Sequence, residues 1–203
     1  MRQLGICATG SAMKPPSFHV LTICGLDELD DHGARDVTHV LSLLDPGWPE
    51  PTAFGVYAPH VRLTLHFHDA IEPAPGIVMP QAGDVETILA FGRDLGEDLG
   101  HLLIHCHAGI SRSTAAMTMI LAQAFPEEDE EAIVERLVQI RPQAWPNSRM
   151  IAFADQRLGR GGRLTAAVNR LYARRLAGRP ELAEVMRRLD RDREVELGLG
   201  GKA

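Results

Sequence analysis

The sequence predicts an α/β domain: a mainly parallel central sheet of about four or five strands, flanked by helices on both faces, with extra helices at the C-terminal end. Three observations carry this expectation. Val37 to Leu44 (VTHVLSLL) is nearly continuous apolar sequence closed by Asp45-Pro46-Gly47, the pattern of a strand buried on both faces. Leu102 to His105 is a second, shorter apolar run. After a tight turn it leads into a charge-free stretch, Ser113 to Phe125, that is apolar on nearly every helical face and therefore reads as a buried helix.

The remaining elements follow in order. Residues 1–17 carry Gly, Ser and Pro-Pro without a clear period and read as a loose lead-in. Phe18 to Cys24 is a β-rich run ending at Gly25, a first strand, and Asp27 to Ala34 suits a short polar helix. The Pro-rich stretch from Pro46 to Pro59 is loop. Val61 to Phe67 alternates, with Val61, Leu63, Leu65 and Phe67 on one face, so it reads as a strand with one buried side. After a second loop, the spacing of Val85, Ile88, Leu89, Gly92, Leu95 and Leu99 is helical, and Asp84 is placed to cap it. The acidic cluster Glu127 to Glu131 suits a helix start, with Ile133, Leu137 and Ile140 on the inner face. Asn147 looks like the cap of a helix over Ser148 to Leu158. Gly159 to Gly162 reads as a flexible break, followed by two amphipathic helices split at Gly178-Arg179-Pro180 and a frayed end of about ten residues. The expected organisation is a lead-in over 1–17, a main domain over 18–158 and a helical extension over 159–203.

Chemistry concentrates in residues 105–113, HCHAGISRS. A strand feeding a glycine turn that opens a helix aims backbone N–H groups and the positive helix end at one spot, which is an anion site. Cys106 sits at its start, where that field favours thiolate over thiol. Arg112 enters the first turn of the helix, and its planar fork can grip two oxygens of a phosphate. Ser113 places a hydroxyl near the sulfur. A bare Cys-x5-Arg pair arises by chance with a probability of roughly 0.3 in a chain of this composition, so the context decides. Here His105 precedes the Cys, Gly109 follows three residues after it, and Ser and Thr follow the Arg.

With that context the stretch resembles the signature loop of the cysteine-dependent protein tyrosine phosphatase superfamily, and its Ala-Gly-x-Ser-Arg-Ser form resembles the dual-specificity branch most. The resemblance covers about residues 18–158, including the Arg-Pro and Pro-Asn pairs around Arg141 and Asn147. It implies a protein tyrosine phosphatase-like fold and hydrolysis of phosphomonoesters through a phosphocysteine intermediate. In that superfamily the general acid is an aspartate on a loop after a strand, some tens of residues before the cysteine, and Asp69 matches in place. The implied set is catalytic Cys106, Arg112, Asp69 and Ser113, a phosphate-binding loop of His107, Ala108, Gly109, Ile110 and Ser111, and His105 and Asn147 behind it. Glu72 is the nearest rival to Asp69. Arg141 reads as a residue bonded to backbone or solvent rather than a substrate contact.

Other classes fare worse on the residues. His66, His68, His105 and His107 lack metal-ligand spacing, so neither a metal nor another cofactor is expected. The net charge of −6 is uneven, with twelve basic against seven acidic residues after Met150, but the interleaved acids there suit a solvated helix face rather than a nucleic-acid surface. No apolar run approaches the roughly 18 residues that cross a bilayer, and the N-terminal stretch lacks a signal peptide's apolar core, so a cytoplasmic protein is expected. Nineteen arginines against two lysines point to a GC-rich, bacterial genome. Cys7, Cys24 and Cys106 are too few and too widely spaced for a disulfide framework, and Cys24 reads as a buried strand residue, with a redox partner of Cys106 as the alternative. Expected partners are a phosphorylated protein, with phosphotyrosine preferred and phosphoserine or phosphothreonine accepted, or a small phosphomonoester; inorganic phosphate or sulfate would suit the loop. A non-catalytic phospho-binding module and an inositol phosphate or metabolite phosphatase are the alternatives.

Overall fold

The computed structural model describes residues 20–95 and 100–200. The expected lead-in over 1–17, Phe18, Cys7 and Leu99 lie outside these residues. Four strands, β1 (Val20–Cys24), β2 (His39–Leu44), β3 (Val61–His66) and β4 (His101–His105), form one sheet in the order β1-β4-β2-β3. Every pairing is parallel. The two continuously apolar runs, β2 and β4, take the middle because only they have side chains to bury on both faces. His105 lies opposite Cys24 on one side and Ser42 on the other, and Leu44 lies opposite His66. The carboxyl ends of all four strands therefore share one edge, where open parallel sheets place their ligands.

Alternation assigns the faces. Ile23, Leu41, Leu43, Leu102 and Ile104 belong to the large core, to which each of the seven α-helices among the described residues contributes. These are α1 (Ala82–Asp94), α2 (Arg112–Ala124), α3 (Glu130–Ile140), α4 (Ser148–Arg157), α5 (Arg163–Gly178), α6 (Leu182–Arg188) and α7 (Asp192–Gly198). Cys24, Val40 and Leu103 face a smaller core with Leu29, Val37 and Phe54, closed by two 3-10 helices, Leu26–His32 and Thr52–Val56. Helices thus flank both faces, as expected, but the short ones cover one side. The second 3-10 helix lies inside the stretch read as loop.

Three local expectations change. β3 is an edge strand, so Val61 is exposed and Leu63 and Leu65 only half-buried, whereas Phe67, just past its end, is buried. Asp84 is not the cap residue of α1. It sits in the first turn and its carboxylate accepts from the Gln81 N–H at 2.8 Å, which is still an N-terminal capping role. The Gly159–Gly162 segment is tied down. Gly159, Gly161 and Gly162 all have positive φ, the Asp155 carboxylate accepts from the N–H groups of Gly162 (2.6 Å) and Thr165 (2.8 Å), and buried Arg160 donates to the carbonyls of Ala122, Phe125 and Glu128. Glycines signal a turn in sequence, but the partners that fix it, Asp155 and the carbonyls that receive Arg160, lie outside it.

The C-terminal stretch up to residue 200 also differs from expectation, residues 201–203 lying outside the described residues. Glu194 and Val195 are fully buried, and α7 packs on α5, so closely that a Cβ on Gly198 would lie 2.8 Å from Leu176. Because α5 feeds the same core as the sheet, Leu171→Ala is expected to cost about 2–5 kcal/mol. Urea unfolding followed by far-UV circular dichroism and by tryptophan fluorescence should move together to lower denaturant; two separate transitions would contradict a shared core.

Candidate active site

Cys106 follows β4 directly and is buried at the foot of the loop that leads into α2. Its Sγ lies 3.2 Å from Ser113 Oγ and accepts from the Gly109 N–H at 3.3 Å. The loop is held from its outer side through its carbonyls. His107 O accepts from Leu26 N–H (2.9 Å), Ala108 O and Gly109 O from the Arg141 guanidinium (3.3 and 2.9 Å), Ile110 O from Trp145 N–H (2.9 Å) and Ser111 O from Asn147 N–H (3.3 Å). In a planar trans peptide the N–H points opposite to the C=O, so carbonyls turned outward turn the amides inward. The result is a nest of inward amides beside the sulfur, a geometry able to receive an anion.

Two residues lock this geometry. Gly109 has φ +68°, and a Cβ there would lie 2.5 Å from the Cys24 carbonyl carbon and 2.6 Å from the Gly25 nitrogen, so the loop rests on the end of β1 where only glycine fits. Arg141 forms a two-point pair with Glu28 (3.0 and 2.8 Å), whose carboxylate also accepts from Gly25 N–H at 2.6 Å. Arg141 therefore fastens the loop to β1 rather than facing ligand. Beneath the loop, His105 shares a hydrogen bond with Ser42 Oγ at 2.7 Å, and burial lowers its pKa to about 4, keeping the ring neutral. Burial also raises the Cys24 thiol to about 12, which leaves it a protonated core residue.

Arg112 is buried where α2 begins. Its Nη1 donates to Asp45 Oδ1 (2.7 Å) and Phe67 O (2.6 Å), while its Nε, also buried, has no partner among the described residues. His107 accepts from the Asp45 N–H at 3.3 Å and its ring lies tilted against that of Trp48, centroids 4.4 Å apart; burial, then Arg112, lowers its pKa.

Asp69 lies beyond β3, facing the loop. Its Oδ1 accepts from Ser111 Oγ (2.8 Å), Asn147 Nδ2 (2.9 Å) and Arg191, which also donates to the Asp69 carbonyl at 2.7 Å. Burial pushes this carboxyl up, but the guanidinium charges of Arg191 and Arg112, with the hydrogen bonds from Asn147 and Arg191, outweigh it and hold the pKa below the usual carboxylate range. Asn147 does two jobs, since its Oδ1 also caps α4 by accepting from Met150 N–H at 3.1 Å. Glu72 is turned away, exposed and paired with Arg193 at 3.3 Å. No group of three His, Cys, Asp or Glu side chains among the described residues is arranged to hold a metal ion.

Asp69, Cys106, His107, Ala108, Ile110, Ser111 and Arg112 line one cavity of about 500 Å3. Gly109 and Ser113 shape it from behind, as do His105 and Asn147. Sequence reasoning missed Asp45, Arg191 and Glu194. Glu194 is fully buried and accepts from Trp145 Nε1 (2.7 Å), Ser148 N–H (2.8 Å) and Arg191 (3.3 Å), so it seats Arg191 against Asp69. Asp45 was readable, because it follows a central strand at the ligand-binding edge. The contacts of Arg191 and Glu194 have no local signal.

No family model matches the chain, and no curated protein matches its sequence. Solved structures do match. The PTP-2 phosphatase of Cydia pomonella superposes with a TM-score of 0.54 at 18% identity, over 68% of this chain and 85% of that one. A putative dual-specificity phosphatase from mouse, solved with zinc tungstate, gives 0.52 at 19% identity over 80% and 98%. This is the fold of the dual-specificity phosphatases. Human DUSP28 shares it too, with a TM-score of 0.52 at 16% identity over 70% of this chain and 92% of its own. At such identities the likeness speaks for the fold, and the site must speak for itself.

The contact at Gly109 yields a direct comparison. Gly109 and Gly47 both have positive φ, but a Cβ at Gly47 meets nothing within 4 Å. Gly47→Ala should therefore cost only the backbone strain, about 1–2 kcal/mol, and Gly109→Ala distinctly more. Equal losses in thermal unfolding would contradict the seating of the loop on β1.

Proposed function

We propose that this chain is a cysteine-dependent phosphomonoester hydrolase that acts on aryl phosphates, phosphotyrosine in proteins foremost. The observation that carries the reading is the convergence of Cys106, Arg112 and Asp69 on one cavity. Nucleophile, oxyanion grip and proton donor are the three parts such a reaction needs. A purely phosphate-binding module needs only the cradle, and the carboxyl that faces it favours turnover.

In this reading the phosphate sits in the nest, with its oxygens on the inward amides and on the Arg112 guanidinium, whose unpartnered Nε gains an acceptor. The Cys106 thiolate attacks phosphorus, the P–O bond to the leaving group breaks, and the proton of the Asp69 carboxyl passes to the departing oxygen. Water then attacks the phosphocysteine and gives a proton to the Asp69 carboxylate. The P–S bond breaks, phosphate leaves and the thiolate returns, stabilised by Ser113 Oγ and the Gly109 N–H. His105 and Asn147 position the loop and the acid without touching substrate.

The depressed pKa of Asp69 bears on substrate choice. A weakly protonated acid assists least where the leaving group needs it most. A phenol, with a pKa of about 10, departs more readily than a serine or threonine alkoxide, so phosphotyrosine is preferred and phosphoserine and phosphothreonine are slower.

Cys106→Ser and Arg112→Ala should lose hydrolysis of phosphotyrosine and para-nitrophenyl phosphate by orders of magnitude while remaining folded. Asp69→Asn should lose about 10²–10⁴-fold on phosphotyrosine and less on para-nitrophenyl phosphate, whose leaving group needs no proton. Full activity in the Cys106→Ser protein would overturn the reading.

A pH profile tests the acid. The active form is protonated at Asp69, so kcat/KM for phosphotyrosine should fall as pH rises through its lowered pKa, placing the optimum on the acid side. Arg191→Gln removes a charge that lowers it and should move that falling limb to higher pH; an unmoved limb would mean that Asp69 is not the group titrating.

A further inference from the structure

The phosphate cradle occupies only part of its cavity. The rest of the lining comes from Gln143 and Trp145 and from α5, α6 and the turns beside them, including Arg175, Arg179 and Arg191. Two features of that part find no use in the reaction above. Ile110, Trp145, Leu182, Val185, Met186 and Leu189 make an apolar wall, and Val185 and Leu189 remain 47% and 61% exposed on it. Arg175 brings a guanidinium whose Nε and Nη2 are buried without any hydrogen-bond partner among the described residues.

Other cations of these helices are answered. Arg174 pairs with Glu131 and Glu135, Arg179 with Glu181 at 3.0 Å, and Arg191 with Asp69 and Glu194. Glu135, the acid that acts on Arg175 at longer range, already has its contact with Arg174 at 3.1 Å. Burial, reinforced by the like charge of Arg174, lowers the Arg175 pKa, as befits a cation without a counter-charge in contact. A guanidinium left in this condition beside an apolar wall, in the cavity that holds the nucleophile, has donors free for a second anion.

We infer that Arg175 forms a second anion subsite, and that the preferred substrate is an aryl phosphate whose apolar body lies along α6 and carries a second acidic group. This rests on the phosphatase reading for the first anion only. The second group is a carboxylate or phosphate on the same molecule, and two sources supply it: an acidic residue near phosphotyrosine, or a small aryl phosphate acid. Arg179, exposed and paired with its neighbour Glu181, can turn to the same group.

The test uses para-phosphonooxyphenyl alkanoic acids of increasing chain length against their primary amides, which differ only in the second charge. The wild-type protein should prefer the acid over the amide by about tenfold in kcat/KM at one chain length. Arg175→Gln should bring that ratio near unity, and Arg175→Lys should restore part of it. The same ratio is read as Kd by calorimetry on the Cys106→Ser protein, which requires no turnover. Acid preference in binding without turnover in the wild type would overturn the phosphatase reading and leave the subsite standing. Turnover with an acid-to-amide ratio of one at every chain length, or a ratio that survives Arg175→Gln, would overturn the subsite. Phosphotyrosine peptides carrying Asp or Asn beside the phosphotyrosine separate the sources: an Asp preference abolished in Arg175→Gln points to a peptide, and a preference confined to the small acids points to a metabolite.

Discussion

Two guanidinium groups, those of Arg112 and Arg191, are almost wholly buried at the floor of one cavity, and the architecture around them follows from the need to answer their charge. A buried cation without a counter-charge is costly enough to unfold a domain of marginal stability. Asp45 answers Arg112; Asp69 and Glu194 answer Arg191. These carboxylates stand beyond β2, beyond β3 and on α7, so the pairs bind two strand ends, the Cys106–Arg112 loop and α7 into one unit. Asp69 is the pivot, because it meets Ser111 of the loop, Asn147 at the start of α4 and Arg191 before α7.

That arrangement changes what the C-terminal helices are. Their core residues fill space against α3 and α4, while α6 and its flanks wall the cavity and Arg191 sets the charge on the carboxyl that faces Cys106. In the reaction proposed, the same ion pair that seats Asp69 also holds its pKa below the usual carboxylate range. Stability of the site and readiness of its acid are therefore opposed, which favours leaving groups that need little help.

The sequence was informative where the deciding forces are local. β2 and β4 are continuous apolar runs, and α2 is apolar all round, so burial could be read without a partner. The Cys106-to-Arg112 loop declares itself because strand, glycine, arginine and helix are contiguous. Asn147 was legible as a cap for the same reason. Its second bond, to Asp69, was not, since it spans 78 positions. Arg191 and Glu194 sat in a stretch read as a solvated face running into a frayed end, because interleaved charges look alike whether they pair with water or with Asp69 122 positions away. The glycines at 159–162 looked loose for a related reason: Asp155 and Arg160, which hold them, bond across the turn and to α2 and α3. β3 misled in a different way, since alternation identifies a strand but not whether an edge position leaves its apolar side half-covered.

The claim on which the account rests is that Cys106 is the atom that takes the phosphoryl group. Acid-quenched mass spectrometry of the Asp69→Asn protein during turnover of para-nitrophenyl phosphate tests it most directly, because slowing the second step lets the intermediate accumulate. The account predicts a single phosphoryl adduct that maps to Cys106 and disappears in the double variant with Cys106→Ser. Continued turnover with Cys106 unmodified throughout, or an adduct on another residue, would contradict it.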